Sequence, residues 1–129
     1  MSSQALPVRK YFATGFILLA VAVLIGAFGA HGLKALVTAE KLVIFETGVR
    51  YHFFHGFGIL AVAFMQKLYP EMKLTGAFYA FVVGILLFSF NCYFYVLSDM
   101  KVFAMIVPVG GLLFMVGWIV LFWKSLKLR

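Results

Sequence analysis

Four long apolar runs separated by short polar connections take up most of the chain. The first, Tyr11 to Ala30, follows the basic pair Arg9 and Lys10. About twenty residues is what an α-helix needs to cross a hydrocarbon core of about 30 Å, so the run predicts a helix over 11–31. A basic start before an apolar core is also the form of a signal peptide, but the run exceeds an ordinary h-region and further spans follow it. Gly32 to Val37 is a connection, after which Thr38 is placed to cap a helix whose first turn carries Glu40. No proline interrupts the chain from there to Pro70. A helix from Ala39 to Tyr69 would be about 46 Å long, too long to span throughout. The pattern therefore predicts an interfacial segment over 39–47 that bends near Gly48 into a transmembrane helix over 48–68. A turn with Pro70, Glu71 and Lys73 leads to a third helix over 74–97. A turn with Ser98, Asp99 and Lys101 leads to a fourth over 102–123, which Pro108 should kink. The expected architecture is an all-α integral membrane protein, residues 1–129 forming one domain of four transmembrane helices in an up-down bundle, with a short interfacial helical segment before the second.

Composition agrees with the pattern. Hydrophobic residues make up 65% of the 129 and charged residues 12%, where soluble domains run about half apolar and a quarter charged. The formal charge of +7 does not point to nucleic acid, because the eleven Lys and Arg residues lie at the ends of apolar runs and form no continuous basic face. They read as topology signals. Seven of them (Arg9, Lys10, Lys67, Lys73, Lys124, Lys127 and Arg129) share one side of the predicted bundle and four (Lys34, Lys41, Arg50 and Lys101) the other. This bias predicts both termini in the cytoplasm, with Tyr11, Tyr69, Trp118 and Trp123 in an aromatic belt at that boundary. Cys92 is the one cysteine and falls inside an apolar run, so no intrachain disulfide or cysteine metal motif is available.

Two kinds of residue stand out from the apolar background. Small residues recur at helical spacing, Ala22, Gly26 and Ala30 in the first run and Gly76, Ala80 and Gly84 in the third, with Gly110 and Gly111 in the fourth. That spacing lets membrane helices approach closely. Polar residues gather toward one half of the bundle: His31, Glu46, Arg50, His52 and His55, with Asn91 and Tyr95 on one face of the third helix. Ionisable groups at such depths are costly and need partners. Glu46 and Arg50 are i, i+4 in the favourable order and predict an ion pair, whereas His52 and His55 face other directions. Cross-helix hydrogen bonding is the expected use of the three histidines. His31, His52 and His55 are weak metal candidates, since H-x-x-H plus one distant histidine lacks a carboxylate in reach, and no second motif supports haem.

The segments G-A-F-G-A-H-G-L at Gly26 to Leu33, F-E-T-G-V-R-Y-H at Phe45 to His52 with His55 following, and P-V-G-G with G-W at Pro108 to Gly111 and Gly117-Trp118 together resemble the domain-of-unknown-function 423 family, which includes transmembrane protein 256. The resemblance covers nearly the whole chain. It implies a small multi-pass membrane protein, of the plasma membrane in bacteria, with no established activity, and motif positions at Gly26, Gly29, His31, Gly32, Glu46, Arg50, Tyr51, His52, His55, Pro108 and Gly111. Phe88-Ser89-Phe90-Asn91 departs from the small F-S-G-S-type segment usual in the family's third helix. The expected role is a structural or accessory bundle, without a cofactor, that self-associates or joins a larger membrane complex in the lipid bilayer. A small oligomeric transporter or channel for a proton, metal or small anion is the first alternative, and a histidine-based metal or haem-binding subunit the second. No catalytic constellation is visible.

Overall fold

The computed structural model describes residues 7–129, which are helical apart from their connections and contain no strand. Helix α1 spans Val8–His31 and is followed by a single 3-10 turn, Leu33–Ala35. Helices α2 (Ala39–Leu68), α3 (Thr75–Ser98) and α4 (Lys101–Ser125) complete the chain. The stretches Val8–Ala35, Thr75–Ser98 and Lys101–Ser125 are each long and apolar enough to cross a membrane. Helix α2 does not reach that standard of apolarity, because Glu40, Lys41, Glu46, Arg50, Gln66 and Lys67 all lie along it.

Consecutive helices pack side by side, α1 on α2, α2 on α3 and α3 on α4. The ends are tied. Tyr11 Oη and Thr75 Oγ1 lie 2.9 Å apart, joining the start of α1 to the start of α3. At the opposite end Thr38 caps α2 as expected, its Oγ1 accepting from the Lys41 amide at 3.3 Å. Lys41 then reaches Asp99 at 2.7 Å, linking the start of α2 to the end of α3. Asp99 ends α3 in the left-handed conformation at φ 60°, which Asp adopts more readily than most residues. The hydrogen bond and charge of Lys41 lower the Asp99 pKa below 3.8. The pair is therefore complete above that pH and is lost as the pH falls through the lowered value. Being exposed on the Asp99 side, it contributes little stability.

No break separates an interfacial segment over 39–47 from the rest of the helix, since α2 is one helix through Gly48. Gly48 is buried against α3: a Cβ there would stand 2.9 Å from Cys92 Cβ and 3.2 Å from the Ser89 carbonyl oxygen. The glycine is spent on helix contact. Phe45, three residues earlier, is also buried, against Gly29 of α1 and Tyr93 of α3. At the Phe88–Asn91 segment α3 meets α4 closely through a glycine of α4: a Cβ on Gly110 would fall against the Phe88 backbone nitrogen.

Of the small-residue stripes, Ala22, Ala80, Gly84 and Gly110 are buried, and a Cβ on Gly84 would stand 2.5 Å from the Phe114 ring. Gly26 faces Val49 at 3.3 Å, and a Cβ on Gly111 would make ordinary contact with Phe88 at 3.7 Å. Ala30 and Gly76 are exposed, and Gly76 has nothing within 4 Å. The prediction is that Gly110→Ala lowers stability by about 1–3 kcal/mol through overpacking against a backbone that cannot yield. Gly76→Ala should leave stability unchanged or slightly raised, as Ala is the better helix former. Reversible unfolding in mixed detergent micelles measures both. Equal loss in the two variants would refute this ranking.

Candidate functional site

Two apolar cores divide the bundle. One holds Tyr11, Ile59, Val62, Phe78, Phe81 and Phe114, the other Leu33, Phe45, Cys92, Tyr93 and Val96. At the junction of the two lie buried polar side chains on α2 and α3: His52, His55, Ser89 and Asn91. A bilayer interior supplies no water to satisfy such groups, so each must find a partner within the protein.

His55 does so completely. Its Nε2 receives a hydrogen bond from the indole Nε1–H of Trp118 at 3.0 Å. Its Nδ1 lies 2.8 Å from the Tyr51 carbonyl oxygen, one turn back on α2. The indole only donates and the carbonyl only accepts, so the ring is held neutral with its proton on Nδ1. Phe114 of α4 lies face to face with the imidazole, the ring centroids 3.4 Å apart and the planes 7° apart. Trp118 thus directs its indole nitrogen to α2 while much of its ring stays exposed, since an indole N–H seeks an acceptor. This face of α2 and α4 walls a cleft of about 550 Å³ lined by Tyr51, His55, Phe57, Phe114 and Trp118 among others.

His52 is fully buried and points toward α3, where its Nδ1 is 3.0 Å from the Tyr93 hydroxyl. Phe90 meets the ring edge-on. The other nitrogen, Nε2, has no hydrogen-bond partner among the described residues. Ser89 lies one turn before Tyr93, near the same hydroxyl, and its Oγ is likewise without a partner among the described residues. Asn91 turns back on its own helix, its amide donating to the Leu86 and Leu87 carbonyls at 3.1 and 3.0 Å.

The remaining residues of the expected polar cluster do not join this layer. His31 is exposed at the last position of α1. Tyr95 is half-buried, its ring 5.8 Å from the Lys41 ammonium. Glu46 and Arg50 are both exposed, and the ion pair expected between them is not formed. Both instead line a cleft of about 170 Å³ between α1 and α2. His31, His52 and His55 thus lie in three different surroundings. Among the described residues no three His, Cys, Asp or Glu side chains converge as metal ligands would.

Gln66 is a polar residue to which the helical pattern assigns no role. Buried near the end of α2, its Nε2 donates to the Pro70 and Met72 carbonyls at 3.2 and 2.7 Å, while its Oε1 accepts from the Leu74 amide at 3.2 Å. The available signal is its position, a lone amide one turn before a proline turn.

The family description "Protein of unknown function (DUF423)" matches residues 25–111. Over 120 residues the chain is 34% identical to the UPF0382 membrane protein YwdK of Bacillus subtilis, covering 92% of this chain and 98% of the relative. It is 38% identical over 105 residues to a UPF0382 membrane protein of Haemophilus influenzae, covering 81% and 84%. To the UPF0382 inner membrane protein YgdD of Escherichia coli it is 34% identical over 118 residues, covering 90% and 86%. No solved structure matches the chain.

The His55–Trp118 bond yields a prediction for a double-mutant cycle of His55→Leu and Trp118→Phe. The coupling energy should fall near 0.6 kcal/mol and below about 1.7 kcal/mol, the range for hydrogen bonds between membrane helices. Unfolding free energies in mixed micelles measure it. Strict additivity of the two substitutions would show that the bond holds nothing together.

Proposed function

The chain belongs to the DUF423 family of membrane proteins of unknown function, and within it we propose a structural or accessory role: a four-helix membrane bundle that self-associates or joins a larger complex. The observation that carries this reading is the engagement of both His55 nitrogens, one by α4 and the other by α2 itself. A metal ligand would need one of those nitrogens free, and a proton relay would need a titratable partner, which neither the Tyr51 carbonyl nor the Trp118 indole is. The exposed faces give the proposal its other support. Along α1, Phe16, Ile17, Val23 and Leu24 are exposed, and along α4 Met105, Leu112, Ile119 and Phe122 are exposed. These two outer helices offer broad apolar faces to lipid or to another membrane helix.

In this reading α2 is a fourth crossing, its charges placed near one boundary, and both termini lie in the cytoplasm of a bacterial cell. Support comes from the end-to-end ties and from the basic residues, since Arg9, Lys10, Lys67, Lys73 and Lys124 share the end marked by Tyr11, Thr75 and Gln66. Single cysteines at positions 38, 70, 99 and 129 should sort by side. Positions 38 and 99 should react with an impermeant thiol reagent added to whole cells, and 70 and 129 only after permeabilisation. Reaction of 38 and 70 from the same side would remove α2 from the membrane.

The role itself is tested by the size of the tagged full chain extracted with its native lipids. The expected species is heavier than one 14.4 kDa chain and holds either more copies or a co-purifying membrane protein. A single chain that also moved protons or metal ions across proteoliposomes would overturn the accessory reading.

A further inference from the structure

The cleft between α1 and α2 carries charges of both signs beside small residues. Its walls are Gly26, Gly29 and Ala30 of α1 and Phe45, Glu46, Val49 and Arg50 of α2. It therefore carries one acid and one base, both exposed and not paired with each other. Arg50 follows Lys41 by nine positions, or about 13 Å along the helix. Since the Lys41–Asp99 pair belongs to the polar end of the bundle, the guanidinium is rooted well below that end. An unpaired charge rooted there is costly unless it reaches up to a group of opposite sign. Helical side chains lean toward the N-terminal end of their helix, so Arg50 leans toward the boundary. Glu46 is about 6 Å nearer that boundary.

We propose that this cleft seats the headgroup of a zwitterionic phospholipid bearing a primary ammonium, with phosphate on Arg50 and ammonium on Glu46. The order of charges is the argument. In such a lipid the phosphate is the deeper group and the ammonium the shallower, which is the order of Arg50 and Glu46 along α2. A bidentate guanidinium suits phosphate oxygens, and a carboxylate accepts hydrogen bonds from a primary ammonium but none from a trimethylated one. An anionic headgroup without a cation would meet Arg50 favourably and Glu46 unfavourably. The glycines set the floor of the cleft by letting α1 come close to α2, since a Cβ on Gly29 would collide with the Phe45 ring at 2.6 Å and one on Gly26 would press on Val49 at 3.3 Å.

The inference rests on α2 crossing the bilayer, and the two fail separately: cysteine labelling tests the crossing, lipid binding tests the cleft. The experiment is native mass spectrometry of the purified full chain titrated with phosphatidylethanolamine, its N-trimethylated counterpart phosphatidylcholine, or phosphatidylglycerol. The unaltered protein should retain phosphatidylethanolamine with about a tenfold preference over either competitor, the equivalent of one charge-assisted hydrogen bond. Glu46→Gln should bring the ratio of ethanolamine to choline lipid to about one. Arg50→Gln should weaken binding of all three, while Lys101→Gln, outside the cleft, should change nothing. Equal retention of the ethanolamine and choline lipids by the unaltered protein would overturn the proposal without recourse to any variant. Preference for the glycerol lipid would overturn it too, as would an unchanged ratio in Glu46→Gln.

Discussion

A buried imidazole has two polar nitrogens that are cut off from water, and much of this bundle's arrangement follows from how α2 meets that demand. His55 can be buried only because Trp118 arrives from α4 with a donor and Tyr51 offers a carbonyl on the same helix. That requirement sets the rotation of α4 about its axis, which in turn brings Phe114 over the imidazole and against Gly84. Gly110 and Gly117 then lie on the face of α4 that meets α3. The apolar packing and the polar bond select one geometry, and neither alone would be as specific, because in lipid close packing and hydrogen bonds replace the hydrophobic drive that joins helices in water.

His52 presents the contrasting case. It is fully buried, has one bond to Tyr93, and leaves Nε2 and the nearby Ser89 Oγ without partners among the described residues. Unsatisfied polar atoms of this kind cost roughly 1–3 kcal/mol each. The α1–α2–α3 side of the bundle is therefore held by shape more than by polar bonds. Gly29 and Gly48 admit Phe45 and the α3 backbone to close range, and Tyr93 tilts against Phe45. The protein has a well-satisfied polar contact on its α4 side and a strained one on its α1 side.

Most of the helical architecture was legible in the chain, since period and length of apolar runs reflect a solvent that every residue of a span experiences. The Thr38 cap was legible for the same local reason. The close contact at Gly48 was not legible, because a glycine mid-helix can serve a bend or a close approach and the approach depends on where the neighbouring helix lies. Glu46 and Arg50 were paired by spacing, but spacing only brings two side chains within reach of each other, and these two line a cleft instead. The partners of His52 and His55 lie 41 and 63 positions away. The directions of the two rings were readable from the 100° helical step, whereas the identities of the groups they meet depend on how α3 and α4 rotate, which no local pattern encodes. Trp118 was placed in a belt by its amphipathic character, and that same character made it the donor His55 needs.

The clasp formed by Gln66 bears on which side chains its position can hold. One primary amide closes the α2–α3 turn by giving two hydrogens and taking a third bond from Leu74. Glutamate is the same length but has no hydrogens to give when ionised, and leucine neither gives nor takes. Asparagine has the right groups on a stem one methylene shorter, too short to reach across the same gap. A single interior carboxamide thus makes the hairpin's closure a matter of isosteric exclusion, a demand for one side chain out of twenty at a place where the surrounding apolar sequence would accept many.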